Sequence, residues 1–195
     1  MHGLVNRAIQ RFVSDGYGQA KWDATAQLAG LETSEIEPML TYEDGLTPRL
    51  LMAASEVLGR QYEELLEDIG TYIVSHPNVE ALRRLLRFGG VGFVDFLHSL
   101  DDLPDRARLA VSDLELPRVE LCEHGGGAYS LLCQGAFPGA GYFFVGLLRA
   151  MADDYGALVF LEHKGLDGAA EVVSISLLDT EFAEGRGFDL GARIA

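Results

Sequence analysis

The segment FVDFLHSLDDLP, residues 93–104, decides how the centre of the chain folds. Its apolar residues recur at the i, i+3, i+4, i+7 spacing of an amphipathic helix. They are Phe93, Phe96, Leu97, Leu100 and Leu103. Pro104 follows on the same stripe, and proline ends or kinks a helix because it lacks an amide hydrogen and its ring clashes with the preceding turn. We therefore predict a helix from Phe93 to about Leu103 that stops at Pro104.

Helical spacing also dominates the residues before this segment. Amphipathic patterns predict five helices, over about residues 4–13, 20–28, 48–58, 62–74 and 79–88. Thr47 and Asn78 are predicted N-caps, because short polar side chains accept hydrogen bonds from the free amides at a helix start. Trp22 and Leu28 are predicted to anchor the second helix in the core. The first half of the chain is therefore predicted to be helical.

The fifth of these helices carries a basic stripe. Arg83, Arg84 and Arg87 are predicted to face mostly solvent. The leucines at positions 82, 85 and 86 are predicted to face inward. Two interpretations of the stripe stay open: a solvated face, or a docking surface for an acidic partner.

Beyond Pro117 the apolar period changes to two, which is typical of β-strands. Strands are predicted over about residues 117–122, 129–133, 157–162 and 172–178, with a helix over about 142–155 between the two hairpins. Helices segregated from an antiparallel sheet define an α+β fold, here a helical part followed by a four-stranded sheet with one inserted helix. We predict one domain over residues 1–180 and a flexible, Gly- and charge-rich tail over residues 181–195.

The composition excludes several classes of protein. A net charge of -15 disfavours nucleic acid as a partner, because phosphate binding needs a basic patch. Cys122 and Cys133 are too few for a disulfide framework. No signal peptide is evident, and no apolar run reaches the ~18–20 residues that span a membrane. We expect a cytoplasmic protein bound to no membrane, and no enzyme, because catalytic motifs such as a phosphate-binding glycine loop are missing.

Short motifs follow one another along residues 1–178. They are Met1-His2-Gly3-Leu4-Val5; Tyr17-Gly18 followed by Trp22; Tyr42-Glu43-Asp44; the run from Ala53 to Gly59; Leu65-Leu66 before Ile69-Gly70; Pro117; Gly139; and Val145-Gly146-Leu147-Leu148. In this order they resemble the heme–nitric oxide/oxygen binding (H-NOX) family, a sensor module also found in soluble guanylate cyclase. The resemblance implies the family's fold and heme as the expected cofactor.

The two motifs that bind heme in this family are both altered here. In the family a histidine binds the heme iron from the proximal side, and a Y-x-S-x-R strand motif holds the heme propionates. The resemblance places Pro104 at the histidine, and Cys133, Gly135 and Phe137 at the tyrosine, serine and arginine. Proline has no ligating atom, and none of the other three can clamp a carboxylate as arginine does. Binding of heme in the family's manner is therefore not expected.

A shift of register restores neither motif. No histidine occurs within residues 99–123, and no lysine or arginine within residues 119–148. His98 is the fallback iron ligand, but it lies about 120° around the helix from position 104, on the side predicted to face solvent. Cys122 and His124 share one strand face, and two ligands are too few for a metal site. No metal site is predicted.

The resemblance also implies a pocket between the helices and the sheet. Its candidate lining residues are Val5, Ile9, Phe93, Leu97, Leu100, Leu103, Pro104, Pro117, Cys133, Gly135, Phe137, Tyr142 and Leu147. Tyr142 falls where some oxygen-binding relatives place a distal tyrosine, and a packed aromatic side chain is the alternative. Phe137 in place of arginine predicts a drier, more apolar pocket than in heme-binding relatives.

Two hypotheses about function stay open. The first is a degenerate, heme-free signalling module that acts by protein interaction or senses an apolar molecule in the vacated pocket. The alternative is a heme-based sensor of nitric oxide or oxygen with unconventional heme ligation. Both imply a signalling partner such as a kinase or a cyclic-di-nucleotide enzyme. The paired loss of the two heme motifs favours the first.

Overall fold

The computed structural model describes residues 3–112, 114, 116–135 and 137–187. The helical part comes first. Within the described residues it comprises α1 (Gly3–Tyr17), α2 (Gln19–Leu28), α3 (Leu46–Leu58), α4 (Tyr62–Ser75), a 3₁₀ turn (Pro77–Val79), α5 (Glu80–Arg87), α6 (Phe93–His98) and α7 (Leu103–Ala110). Each of the predicted helices is present, and their bounds differ from the predictions by a few residues.

Two hairpins flank the last helix. β1 (Arg118–Gly125) pairs with β2 (Ala128–Gln134), α8 (Ala140–Tyr155) follows, and β3 (Leu158–Asp167) pairs with β4 (Ala170–Asp179). The sheet has the order β1-β2-β4-β3 with all neighbours antiparallel. The predicted α+β fold with one helix inserted between the hairpins is confirmed.

Position 104 begins a helix, and the prediction that it ends one is wrong. α6 stops at His98, six residues before the proline. The chain then turns, with the amide of Leu103 donating to the carbonyl of Leu100 at 3.0 Å. α7 starts at Leu103 with Pro104 in its first turn. Proline is favoured there because a first-turn amide has no partner within the helix, so its absence costs nothing.

Three smaller predictions are also wrong. Thr47 does not cap α3, because the helix begins at Leu46 behind Gly45 and Thr47 is fully buried within the first turn. Asn78 does not cap α5 but lies inside the 3₁₀ turn, which His76 caps by accepting a hydrogen bond on Nδ1 from the Asn78 amide. Leu28 is not a core anchor, because it lies on the outer side of α2 and is 51% exposed, whereas Trp22 is fully buried.

The hydrophobic core consists of two clusters. One packs α1 to α4 around Trp22, and the other packs α6 and α8 onto the inner face of the sheet. α4 and α8 cross where the clusters meet, and two glycines allow the close approach. A Cβ on Gly146 would lie 1.9 Å from the carbonyl oxygen of Glu67, and one on Gly70 would lie 2.1 Å from that of Phe143.

The part of the predicted tail that the structure describes is residues 181–187, which form neither helix nor strand. Hydrogen bonds attach them to the end of α8: Ala183 donates to the carbonyl of Gly156, and Arg186 to that of Asp154, each at 3.0 Å. The rest of the predicted tail, residues 188–195, lies outside the described residues.

Candidate functional site

An apolar cavity of about 270 Å³ lies between the two core clusters. Ile73, Phe137 and Phe143 belong to the boundary of both clusters and form part of its wall. The full set of lining residues is Leu4, Val5, Ala8, Ile9, Thr47, Leu51, Leu66, Ile69, Ile73, Leu82, Leu85, Leu86, Leu103, Pro104, Ala107, Leu114, Leu116, Pro117, Phe137, Phe143, Phe144 and Leu147. Helices α1, α3, α4, α5, α7 and α8 all contribute, so the cavity lies at the centre of the helical part.

The wall is hydrocarbon with one exception among the described residues. Thr47 is the one lining residue with a polar side chain, and its hydroxyl donates to Oδ1 of Asn6 at 2.6 Å. Both side chains are fully buried. A cavity of this composition stays dry, because water needs two to four polar partners to leave the bulk solvent.

Seven of the thirteen residues predicted to line the pocket lie in this wall. They are Val5, Ile9, Leu103, Pro104, Pro117, Phe137 and Leu147. The lining residues outside the predicted set come from several helices, and α4 and α5 contribute three each; the apolar stripes of these two helices are visible in the sequence. The stripes do not distinguish the apolar residues that border a cavity from those that pack against one another.

The other six predicted residues lie elsewhere. Phe93, Leu97 and Leu100 are buried in the cluster beneath the sheet, because α6 ends before it can carry its stripe to position 104. Cys133 is buried in the same cluster, where burial, with a smaller effect of the Glu171 charge, raises the pKa of its thiol to about 12. Gly135 is exposed.

Tyr142, the remaining one, packs outside the cavity. Its ring stacks on His163, with 3.9 Å between ring centroids and 16° between planes. Nε2 of His163 lies 2.9 Å from Oε2 of Glu171, and Nδ1 accepts from the Gly165 amide, so the imidazole donates to the carboxylate. Tyr142 is therefore a packed aromatic side chain in this structure.

The residues around the cavity do not fit a heme in the family's manner. Pro104, which the resemblance places at the proximal histidine, lies in the wall, and a pyrrolidine ring offers the iron no electron pair. Among the described lining residues there is no histidine, cysteine, methionine or tyrosine, which are the side chains that ligate heme iron. His98, the fallback ligand, is exposed on α6, with Nε2 3.9 Å from a Glu123 carboxylate oxygen.

The position that the resemblance assigns to the propionate-binding arginine is also apolar. Phe137 turns its ring toward the cavity. The start of α8 holds a carboxylate of the protein itself, because Glu171 accepts from the amides of Gly139 at 2.7 Å and Gly141 at 3.0 Å. Amides at a helix start attract anions. Glu171 therefore already occupies the amide donors at the start of α8.

A second, polar cleft lies on the outer side of Pro104. It is bordered by α7 and β1 and lined by Asp101, Pro104, Asp105, Arg108, Arg118, Val119, Glu120, Leu132 and Gln134. Carboxylates and guanidinium groups are mixed along it, and Arg108 is bound to Asp105 at 2.7 Å. The cleft therefore presents no clear anion site.

The predicted solvated stripe on α5 is wrong for two of its three arginines. Arg83 and Arg87 turn to Asp154 of α8, which is fully buried. Nε of Arg83 donates to Oδ1 of Asp154 at 2.8 Å, and the Arg87 guanidinium lies over the Tyr155 ring, 3.9 Å from its centroid. Arg84 is the exposed member. Sequence periodicity misses this cluster because it cannot tell which partner a polar face will meet.

The Asp154 cluster, formed by Asp154, Arg83 and Arg87, connects the cavity-lining helix α5 to the C-terminal segment, residues 181–187. One face of α5 contributes Leu82, Leu85 and Leu86 to the cavity wall. The other face reaches Asp154, and Arg83 also donates to the carbonyl of Gly187 at 3.2 Å. A displacement of α5 would therefore change both the cavity wall and the contacts of Asp154 and Gly187.

Comparison with known proteins agrees with the resemblance seen in the sequence. A model of the Haem-NO-binding (HNOB) family matches residues 2–163. The chain is 27% identical over 124 residues to soluble guanylate cyclase gcy-31 of Caenorhabditis elegans, and 20% identical over 158 residues to soluble guanylate cyclase 89Db of Drosophila melanogaster. These alignments cover 64% and 81% of this chain but 18% and 24% of the cyclases. The chain thus spans less than a quarter of those relatives.

Solved structures show the same fold. The unliganded Fe(II) H-NOX protein of K. algicida superposes with a TM-score of 0.75 at 19% identity, covering 94% of this chain and all of that one. An oxygen-binding H-NOX domain related to soluble guanylate cyclases, solved as its oxygen complex, gives 0.68 at 17% identity, covering 96% and 100%. None of the helices described here is long and apolar enough to cross a membrane. With its family model covering nearly the whole chain and the matching fold, this protein belongs to the Haem-NO-binding family, whose H-NOX domain is a sensor module.

Proposed function

We propose that this chain is a heme-free sensor module, in which a small apolar molecule takes the place of heme. The observation that carries the proposal is the cavity wall, which is hydrocarbon except for Thr47 among the described residues. Transfer of apolar surface from water into such a site is favourable at roughly 25 cal/mol per Å². A charged, iron-bearing cofactor gains neither ligation nor charge pairing there.

The size of the cavity supports the same conclusion. An engineered dry cavity of ~150 Å³ in another protein binds one benzene ring. The cavity here, at about 270 Å³, has less than twice that volume. A heme has four pyrrole rings and their substituents, so its binding would require the helical part to open widely. A molecule of one or two small rings, or a short alkyl chain, fits without such a change.

The output of the module is proposed to be a signalling protein, in the same chain or separate. The cyclase relatives are much longer than this chain, and proteins of the family are sensor modules that act on such effectors. A kinase, a cyclase or a cyclic-di-nucleotide enzyme would suit this role, in the cytoplasm. No catalytic function is proposed for the cavity, because the lining residues that the structure describes offer no acid or base and no activated nucleophile.

Two measurements test this proposal. The protein, expressed with a heme precursor, should be colourless and lack the Soret absorbance. Toluene, titrated by NMR, should shift the methyl signals of cavity leucines in the wild type. Toluene should bind equally tightly to Ala24→Phe, whose substitution is on the exposed side of α2. Its Kd should be at least about tenfold higher for Ala8→Phe, whose new side chain fills the cavity. Stoichiometric heme with normal iron ligation would overturn the proposal, as would equal binding to both variants.

A further inference from the structure

Among the described residues, the apolar cavity has one polar feature, formed by α1 and α3. Asn6 lies immediately behind the wall, and its Oδ1 accepts the hydroxyl hydrogen of Thr47, which borders the cavity. Nδ2 of the same amide is buried and has no hydrogen-bond partner. Asn6 stands on α1 beside Val5 and close to Ile9, both of which line the cavity, so the amide interrupts an otherwise apolar environment.

An unpaired amide in such a place is energetically unfavourable. More than about 90% of buried polar groups in native proteins have a partner, and a group without one loses the free energy of its hydration. Hydrocarbon side chains of similar shape would remove this cost. Asn6 and Thr47 are therefore suited to a state in which something else in the cavity completes their hydrogen bonds.

We infer that the ligand of this cavity is an uncharged, mainly hydrocarbon molecule that carries a single polar oxygen, and that Thr47 and Asn6 bind this oxygen. This inference rests on the proposed function and specifies its ligand class. A hydroxyl group suits the pair best, because it both donates and accepts. It can accept from Nδ2 of Asn6 and donate to the oxygen of Thr47, whose lone pairs are free to accept.

The rest of the wall limits what such a molecule can carry. The described lining residues include no charged side chain, so an ionised carboxylate or amine would enter without a counter-charge. Burial of an unpaired charge is far more costly than burial of a hydroxyl. A second hydroxyl group would also lack a partner. The ligand class is thus narrowed to compact alcohols, with ketones as the next best fit.

Toluene and benzyl alcohol are suitable probes because they differ by one oxygen. In a cavity without a polar contact, the alcohol binds about tenfold or more weakly than toluene, since its hydroxyl loses hydration. In the wild type we expect the two Kd values to lie within about threefold of each other. In the double variant Asn6→Leu/Thr47→Val, which removes both partners and keeps their shape, the alcohol should weaken about tenfold relative to toluene.

The possible outcomes separate this inference from the proposed function. Failure of both probes to bind the wild type overturns both. If toluene binds but the ratio of the two Kd values is the same in wild type and double variant, the oxygen is not recognised by Asn6 and Thr47, and only this inference is overturned. Since the double variant can fail to fold, the side-chain NH₂ signals of Asn6 are followed in the wild type. Benzyl alcohol should shift them more than toluene does at equal occupancy, and equal shifts would also overturn the inference.

Discussion

Replacement of Asp154 by asparagine should destabilise the protein strongly, although the site is distant from the cavity. Asp154 is fully buried, and the side chains of Arg83 and Arg87 are only 11% and 14% exposed. The substitution keeps the shape and removes the charge. It weakens the 2.8 Å bond from Arg83, a charge-assisted hydrogen bond of about 1.5–3 kcal/mol, and removes the buried negative charge that two largely buried guanidinium groups face. Breaking a buried ion pair typically costs about 3–5 kcal/mol.

The contribution of Arg87 is the smaller of the two. Its Nε lies 3.6 Å from Oδ2 of Asp154, and its Nη1 donates to the backbone carbonyl of Asp154 at 3.4 Å, a bond that the substitution does not remove. Arg87 also keeps its position over the Tyr155 ring when the carboxylate is lost. We therefore expect the loss in free energy of unfolding to fall at the lower end of the range, about 3 kcal/mol.

Urea unfolding followed by circular dichroism measures this difference, and Glu67→Gln is the matched control. Glu67 and Arg149 also join two helices, α4 and α8, through an ion pair of 3.0 Å, but their side chains are 29% and 52% exposed. An exposed pair contributes about 0–1 kcal/mol and weakens with salt, whereas a buried one is screened much less. Equal losses in Asp154→Asn and Glu67→Gln, or equal salt dependence, would refute the reasoning.

Two further predictions concern the helical part. Gly146→Ala should destabilise the protein by about 1–3 kcal/mol or more, because its Cβ would meet the Glu67 carbonyl at 1.9 Å. Its control is Gly16→Ala in α1, which has free space around its Cβ and should be neutral or stabilise the protein by up to about 1 kcal/mol. Thermal and urea unfolding measure both differences. Burial raises the pKa of Asp15, but the hydrogen bonds from Tyr72 and Asn78 together outweigh it, so the pKa lies below the ordinary 3.8. The stability that wild type has over Asp15→Asn should therefore be constant above about pH 5 and decline as the pH falls below 3.8; a gap unchanged down to the pH of acid unfolding would contradict this.

Sequence periodicity predicts most of the elements but not their junctions, and it misses α7. Helices and strands with a strong apolar period were found where predicted, because burial of one face fixes both their type and orientation. The stripe through residues 93–104 was misleading in one respect. Leu100 and Leu103 do face the interior, but a turn separates them. Because this turn keeps the apolar side chains pointing inward, the spacing of apolar residues does not reveal it.

Polar groups inside the protein were the least predictable. Asp154 occurs in a strongly apolar helix and Asn6 on the apolar side of α1, and each could have been noticed as an exception to its pattern. Their partners could not, because Arg83 lies 71 positions from Asp154 and Thr47 lies 41 from Asn6. The pairing depends on the crossing of helices, which the local sequence does not encode.

Pro104 and Phe137 are best understood from their position in the wall of the apolar cavity. A site that had only lost its iron ligand would keep polar groups around an empty space, and those groups would need water. Here Pro104 and Phe137 themselves line the cavity, beside Pro117 and the leucines of α5, so hydrocarbon surface stands at the two positions that the resemblance assigns to the iron ligand and the propionate clamp. Such a wall favours an apolar occupant over a vacant heme site. Asn6 and Thr47 are then the residues with which that occupant can form a hydrogen bond.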